Sequence, residues 1–151
     1  MIKLITVGQI KETYLKEAIK EYEKRLSKYT KLEIIELKDL SYDDEAKVLN
    51  EEGQNILKHI DSKDYVITME IEGKELSSEE FASKLDSTLI NNSNIVFVIG
   101  GSLGLSNQVK QRSNFSMSFS KMTFPHQLFR IILLEQIYRC FKILNNETYH
   151  K

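Results

Sequence analysis

Cysteine and proline occur only once each in this sequence of 151 residues, and tryptophan does not occur at all. The single cysteine, Cys140, excludes an internal disulfide. No metal site is predicted either, because the histidines and carboxylates that would have to join this cysteine do not stand at ligand spacing. Free cysteines are usually buried, so we interpret Cys140 as a small apolar core residue.

Long apolar runs are also missing. The longest, residues 128–134, contains Arg130 and is followed by Glu135, which makes it too short for a membrane span. The apolar start, residues 1–8, is too short for a signal peptide. No low-complexity tract interrupts the chain, and 41% hydrophobic and 28% charged residues are ordinary globular values. We therefore expect one domain over residues 1–151 in a cytoplasmic protein.

The charge is small in total but uneven along the chain. A net charge of -1 argues against a general nucleic-acid binder. Residues 107–151, however, contain seven basic and only two acidic residues. This asymmetry is compatible with a polyanionic partner, and it is equally compatible with an unevenly charged solvated surface.

Strand-like and helix-like patterns alternate along the sequence. Alternation of this kind requires crossover connections and favours a mainly parallel sheet flanked by helices. Ligands of such sheets bind outside the carboxyl ends of the strands. The predicted strands are residues 2–7, 32–37, 65–71, 94–99 and 115–119, and the predicted helices are residues 12–28, 43–60, 77–89, 106–111 and 126–144.

The glycines are sparse where nucleotide-binding enzymes need them. Only Gly8 follows the first strand, so the GxGxxG motif of dinucleotide-binding enzymes is missing, and no P-loop occurs elsewhere. Three glycines instead follow the buried strand 94–99, at Gly100, Gly101 and Gly104. They either let the backbone approach a ligand closely or form a tight turn between strand and helix.

Two further candidate functional segments are the loop of residues 119–127 and the helix that follows it. The only proline, Pro125, stands just before the helix, where its fixed φ is tolerated. The loop is long enough to offer several backbone groups to a purine, or it is a plain connection. The helix, residues 126–144, is apolar nearly all round, which favours a dimer contact over complete burial within one chain.

The last three residues, Tyr149, His150 and Lys151, combine an aromatic ring, a titratable ring and a cation. Such side chains can stack on a base and meet a phosphate. The alternative is an ordinary frayed terminus.

Together these features resemble the RlmH family of SPOUT-class methyltransferases, whose members methylate N3 of a pseudouridine in large-subunit ribosomal RNA. The resemblance covers essentially the whole chain, although residues 37–47 lie in a variable region. The matching segments are residues 98–101 with Gly104, residues 118–127, 135–139 and 149–151, and, less specifically, residues 5–8 and 70–74.

The resemblance implies a C-terminal trefoil knot, a homodimer and an S-adenosylmethionine pocket made by the knot. From the chemistry of the tail we further expect Tyr149, His150 and Lys151 to be catalytic, with His150 as a base for the N3 proton. Carried over to this sequence, the cofactor pocket comprises Met69, Gly100 and the stretch Phe119, Ser120, Lys121, Met122, Thr123 and Phe124, with Leu76, Gly101 and Gly104 as supports.

The implied partner is the ribosome, through its 23S RNA. Since the net charge of -1 suggests weak affinity for free RNA, we expect the assembled ribosome to be the substrate. Two alternatives remain open: methylation of another RNA such as tRNA, and a non-catalytic ribosome-binding module. Arg130 and Arg139 are compatible with RNA contact and with salt bridges at the subunit interface. We favour the second interpretation, because both interrupt the apolar last helix.

Overall fold

The structure is a computed structural model that describes residues 1–150. Strands and helices alternate from beginning to end, as the sequence predicts. The strands are β1 (Ile2–Val7), β2 (Leu32–Leu37), β3 (Tyr65–Glu75), β4 (Ile95–Ile99) and β5 (Phe115–Ser118). The helices are α1 (Thr13–Leu26), α2 (Glu45–Leu57), α3 (Ser78–Asn91), α4 (Asn107–Arg112) and α5 (His126–Leu144).

The five strands form one sheet in the order β2-β1-β4-β3-β5, and every neighbouring pair is parallel. This confirms the predicted α/β class. The carboxyl ends of all five strands therefore meet at one edge of the sheet. The trefoil knot and the limits of the domain remain predictions.

Two apolar cores lie on opposite faces of the sheet, because successive side chains of a strand point to opposite sides. In β4, Phe97 joins one core while Val96 and Val98 join the other. All five residues of β4 are buried, as expected for a central strand covered on both faces. Helices α1, α3 and α5 pack together over the first core, and α2 contacts α4.

Local signals set several helix starts. The side chain of Asp44 accepts hydrogen bonds from the first turn of α2. A capping box begins α3, because Ser77 and Glu80 each accept a hydrogen bond from the other's backbone amide. Helix α5 begins directly after Pro125 and has the predicted bounds.

Strand β3 is longer than predicted. It ends at Glu75 rather than residue 71, after a register shift in which Met69 and Lys74 both pair with Met117. Gly73 permits this arrangement, since a Cβ atom there would lie 2.7 Å from the Met117 carbonyl carbon. The chain between Met69 and Lys74 therefore bulges outward at the carboxyl edge of the sheet.

Arg130 in α5 has a different role from the one expected. Arg130 is only 2% exposed and pairs with Glu36 of β2 inside the same chain. The interpretation as a subunit-interface salt bridge is therefore wrong for Arg130. Arg139 likewise pairs with Glu135, one turn earlier in the same helix. Cys140 is buried as predicted.

Among residues 1–150, no helix combines the length and apolar character that a membrane crossing requires.

Candidate functional site

A cavity of about 470 Å³ opens at the carboxyl edge of β3, β4 and β5. This volume lies in the range of ligand pockets, about 300–1,000 Å³. The structure brings nine of the eleven predicted cofactor residues to its walls. They are Met69, Gly100, Gly101, Gly104, Phe119, Ser120, Met122, Thr123 and Phe124.

The other two predicted cofactor residues lie elsewhere. Leu76 packs against the apolar core beneath α5 and is not part of the cavity wall. Lys121 is exposed within the loop, and its side chain is not part of the wall either.

The glycine loop forms one wall. Gly104 donates a backbone hydrogen bond to the carbonyl of Gly101 at 3.0 Å, closing a tight turn. Gly104 has φ +80°, a conformation that favours glycine. At Gly100, a Cβ atom would lie 2.6 Å from the carbonyl oxygen of Gly104. The loop therefore needs glycine at both positions, for two different reasons.

Aromatic rings form a second wall. The ring of Phe129, in the first turn of α5, lies 5.2 Å from that of Phe119 and 5.9 Å from that of Phe124. The loop between these rings is shaped by Ser120, whose hydroxyl accepts a hydrogen bond from the amide of Met122. The rings provide an apolar surface for a flat ligand group.

The third wall is polar, and none of its residues was predicted from the sequence to bind the cofactor. Glu70 follows the buried part of β3, and Lys110 of α4 faces it with Nζ 3.7 Å from Oε1. His126 lines the same cavity at the start of α5. Glu70 had two signals in the sequence, its place near the end of a predicted strand and its place in the matching segment 70–74, whereas Lys110 had none.

The C-terminal tail is held against the body of the protein. Glu147 accepts hydrogen bonds from the hydroxyl of Tyr29 at 2.6 Å and from Nζ of Lys142 at 2.7 Å. Lys142 and then Tyr29 lower the pKa of Glu147 to about 2. Within the described residues, the tail is therefore anchored rather than frayed.

Tyr149 packs among groups of α5. Its hydroxyl donates to Glu135 at 3.0 Å, and its ring meets that of Tyr138 edge-on at 5.1 Å. The guanidinium of Arg139 lies 4.7 Å from the ring centre of Tyr149. Burial, and then the hydrogen bond to Glu135, raise the pKa of the Tyr149 hydroxyl.

His150 is held at both ring nitrogens. Arg139 donates to Nδ1 at 3.1 Å, and Nε2 lies 2.6 Å from Oε1 of Glu79. Because arginine only donates, Nδ1 is the accepting nitrogen and Nε2 carries the proton toward the carboxylate. Lys151, the third predicted catalytic residue, lies outside the described residues.

The tail and the cavity are apart within one chain. Neither Tyr149 nor His150 lines the cavity. On α5, Phe129 lines the cavity, whereas Arg139 contacts Tyr149 and His150 of the tail. These two helix positions are ten residues apart, which corresponds to about 15 Å at 1.5 Å per residue. The structure therefore does not bring Tyr149 or His150 to the predicted cofactor residues of the same chain.

No group of three or more histidine, cysteine, aspartate or glutamate side chains within residues 1–150 is placed to hold a metal ion.

The parallel sheet and its crossover helices define an α/β protein, and the cavity of ligand size lies at the carboxyl edge of the sheet. A family model described as "Predicted SPOUT methyltransferase" matches residues 1–150. The chain therefore belongs to the SPOUT methyltransferase family.

Two relatives match over nearly their whole length. One, from Methanococcus vannielii, is named putative ribosomal RNA large subunit methyltransferase H, and the other, from Clostridium botulinum strain Hall, is named ribosomal RNA large subunit methyltransferase H. Each is 55% identical to this chain, and each alignment covers 99% of both proteins.

The fold resembles a solved structure of a probable methylase family protein from Haemophilus influenzae Rd KW20. The TM-score is 0.59 at 16% identity, and the match covers 99% of this chain and 70% of the other. At this identity the likeness concerns the fold alone.

Proposed function

We propose that this protein transfers a methyl group from S-adenosylmethionine to N3 of a pseudouridine in 23S ribosomal RNA. The observation that carries the proposal is the cavity, whose walls include nine residues that the family resemblance selects as cofactor-binding. Membership of the SPOUT methyltransferase family supports methyl transfer. The names of the two 55% identical relatives support large-subunit ribosomal RNA as the substrate.

The walls of the cavity fit S-adenosylmethionine. The rings of Phe119, Phe124 and Phe129 offer an apolar surface to the adenine. The loop from Gly100 to Gly104 lets the backbone lie close to the ligand, since no Cβ intervenes. When bound, the cofactor supplies an activated methyl group. The walls fix its position, which is the main requirement of an in-line displacement.

The tail supplies the groups that act on the base. We assign to His150 the removal of the N3 proton, because the imidazole of histidine is the side chain that most often acts as a general base. Since Glu79 occupies Nε2, the nitrogen that accepts this proton is Nδ1, which must first leave Arg139. Tyr149 is assigned to stacking on RNA, and Lys151 is assigned to the negative charge that develops on the base.

The separation of tail and cavity supports a homodimer whose sites are shared between subunits. The tail of one chain would then complete the cavity of its partner. Two exposed apolar side chains at the cavity rim, Ile71 (53% exposed) and Met122 (74% exposed), are suited to such a contact, and Leu128 at the start of α5 is 41% exposed.

The net charge of the chain bears on whether the substrate is free RNA or the assembled ribosome. With a net charge of -1, the chain has little general attraction for RNA phosphates. We therefore propose the assembled ribosome in the cytoplasm as the substrate, because its shape supplies contacts that free RNA lacks.

Transfer of labelled methyl from S-adenosylmethionine to unmodified ribosomes tests the proposal. We expect labelling of ribosomes, much less labelling of naked ribosomal RNA at physiological salt, and none with a variant that ends at Thr148. Full activity of the truncated variant would remove the tail from the mechanism. Efficient methylation of naked RNA would refute the ribosome requirement.

A further inference from the structure

The polar wall of the cavity contains one carboxylate and one ammonium group that face each other. Nζ of Lys110 lies 3.7 Å from Oε1 of Glu70, and both residues line the cavity. The family resemblance assigned neither residue to the cofactor pocket, although Glu70 lies in the less specific matching segment 70–74. The aromatic wall carries no charge, so the cavity has an apolar part and an ionic part.

Glu70 is held firmly by its other oxygen. Oε2 accepts hydrogen bonds from the hydroxyl of Thr68, at 2.7 Å, and from the hydroxyl of Ser116. The Thr68 hydroxyl is itself in contact with that of Ser113 at 2.8 Å. The carboxylate side chain is 16% exposed. Two hydroxyls, those of Thr68 and Ser116, thus orient Glu70 and leave Oε1 directed to Lys110.

The two charges are close but do not satisfy each other. At 3.7 Å the contact is longer than a hydrogen bond, for which about 2.7–3.2 Å is usual. Lys110 has no other salt bridge within residues 1–150, and its side chain is 47% exposed. Oε1 and Nζ therefore both retain hydrogen-bonding capacity for a ligand.

We propose that Glu70 and Lys110 form a subsite for the zwitterionic amino-acid end of the cofactor. Glu70 Oε1 accepts from the α-ammonium group, and Lys110 donates to the α-carboxylate. The inference rests on the proposed cofactor. It adds the orientation of the ligand, with the adenine on the aromatic wall and the amino-acid end on the ionic wall. It also gives the cavity a preference for complete cofactors over simple nucleosides.

A pair of opposite charges suits this ligand better than one charge would. A zwitterion brings two charges that cancel, as do the two of the subsite, so neither is left unpaired when the ligand is bound. A nucleoside without the amino-acid part leaves both protein charges in the cavity without new partners, and it gains only the contacts to the aromatic wall and glycine loop.

Titration calorimetry with two ligands tests the subsite. S-adenosylhomocysteine carries the amino-acid end, and 5′-methylthioadenosine lacks it. In the unaltered protein we expect S-adenosylhomocysteine to bind more tightly. Lys110→Met and Glu70→Gln should each weaken S-adenosylhomocysteine about tenfold or more, as expected for a lost charge-assisted hydrogen bond, and leave 5′-methylthioadenosine nearly unchanged.

Glu75→Gln is the matched control. It removes the same charge from the same strand, at an exposed residue that does not line the cavity. We expect both affinities to stay at their original values. Because Glu70→Gln disturbs the hydroxyls beneath it, melting temperatures are recorded for all variants. Lys110→Met leaves those hydroxyls in place, so its effect on the two affinities tests the subsite without that disturbance.

Three outcomes overturn the subsite. If S-adenosylhomocysteine binds but the ratio of the two affinities is unchanged in Lys110→Met and Glu70→Gln, the subsite is wrong and the proposed cofactor stands. If the unaltered protein binds both ligands equally, the amino-acid end contributes no affinity, so the subsite is wrong and the proposed cofactor stands. If it binds neither, the proposed cofactor fails, and the subsite fails with it.

Discussion

Arg130 and Glu36, which are 94 residues apart in the sequence, form an ion pair with Nη1 and Oε2 at 2.8 Å. A second nitrogen of the same guanidinium donates to the carbonyls of Val7 and Gly8 at 3.0 and 2.9 Å. One buried side chain therefore joins the start of α5 to the carboxyl ends of β1 and β2. Arg130 directly follows Phe129, which lines the cavity. The position of α5 therefore determines the position of the aromatic wall.

Arg130→Met should lower the free energy of unfolding by about 3 kcal/mol, because it leaves two backbone carbonyls and a carboxylate without their partner. Arg130→Lys should give a smaller loss, since one ammonium cannot replace the forked guanidinium. Urea unfolding measures both. The control is Arg25→Met, which breaks an exposed ion pair with Glu21 and should cost less than about 1 kcal/mol. Equal losses at the two arginines would contradict this account.

The two glycines of the cavity loop should respond differently to alanine. At Gly100 the added Cβ lies 2.6 Å from the carbonyl oxygen of Gly104, so the loop must move. At Gly104 no atom lies within 4 Å, and only the φ of +80° opposes the change, at about 1–2 kcal/mol. Calorimetry with S-adenosylhomocysteine should show the larger loss of affinity for Gly100→Ala. A larger loss for Gly104→Ala would refute the assigned close packing.

Glu147 should make the stability of the protein depend on acid in a defined range. Lys142 and Tyr29 hold its folded pKa at about 2, below the ordinary value of 4.5. The stabilisation is therefore fully present above pH 4.5 and is lost as the pH falls toward 2. Glu147→Gln should lower stability at neutral pH, and the difference from the unaltered protein should shrink below pH 4.5. A difference that grows with acid would have the wrong sign.

A shared site makes a prediction for mixed dimers. One subunit carries Gly100→Val, which blocks the cavity, and the other ends at Thr148, which removes the tail. Two different affinity tags isolate the mixed dimer. If each site combines a cavity with the partner's tail, one intact site remains and about half the original activity is expected. If each subunit uses its own tail, the mixed dimer is inactive like both parents.

The sheet and helices could be predicted because their patterns are local. Residues 126–144 alone specify α5, since the apolar pattern begins after the only proline and ends before two asparagines. The extension of β3 to Glu75 could not be predicted, because its residues look like a turn until Gly73 is seen lying against the backbone of Met117.

From residue types alone, the site was predictable only at glycines, whereas the family resemblance supplied Met69 and the cavity-lining residues of the stretch 119–124. Gly100 and Gly104 stand out because glycine is the residue that tolerates close packing and positive φ. The partners of charged side chains depend on tertiary structure instead. Arg130 looked like an interface residue because Glu36 is remote in sequence, and Glu70 meets Lys110 only after the sheet has formed.

The most direct test of the proposed function is to locate the methyl group. Unmodified ribosomes are incubated with the protein and labelled S-adenosylmethionine, and the ribosomal RNA is then digested with nucleases and analysed by mass. We expect one labelled nucleoside, a pseudouridine of 23S RNA methylated at N3, and no label with the variant that ends at Thr148. Label on a different nucleoside or a different RNA, or no label from a protein that binds the cofactor, would contradict the proposed function.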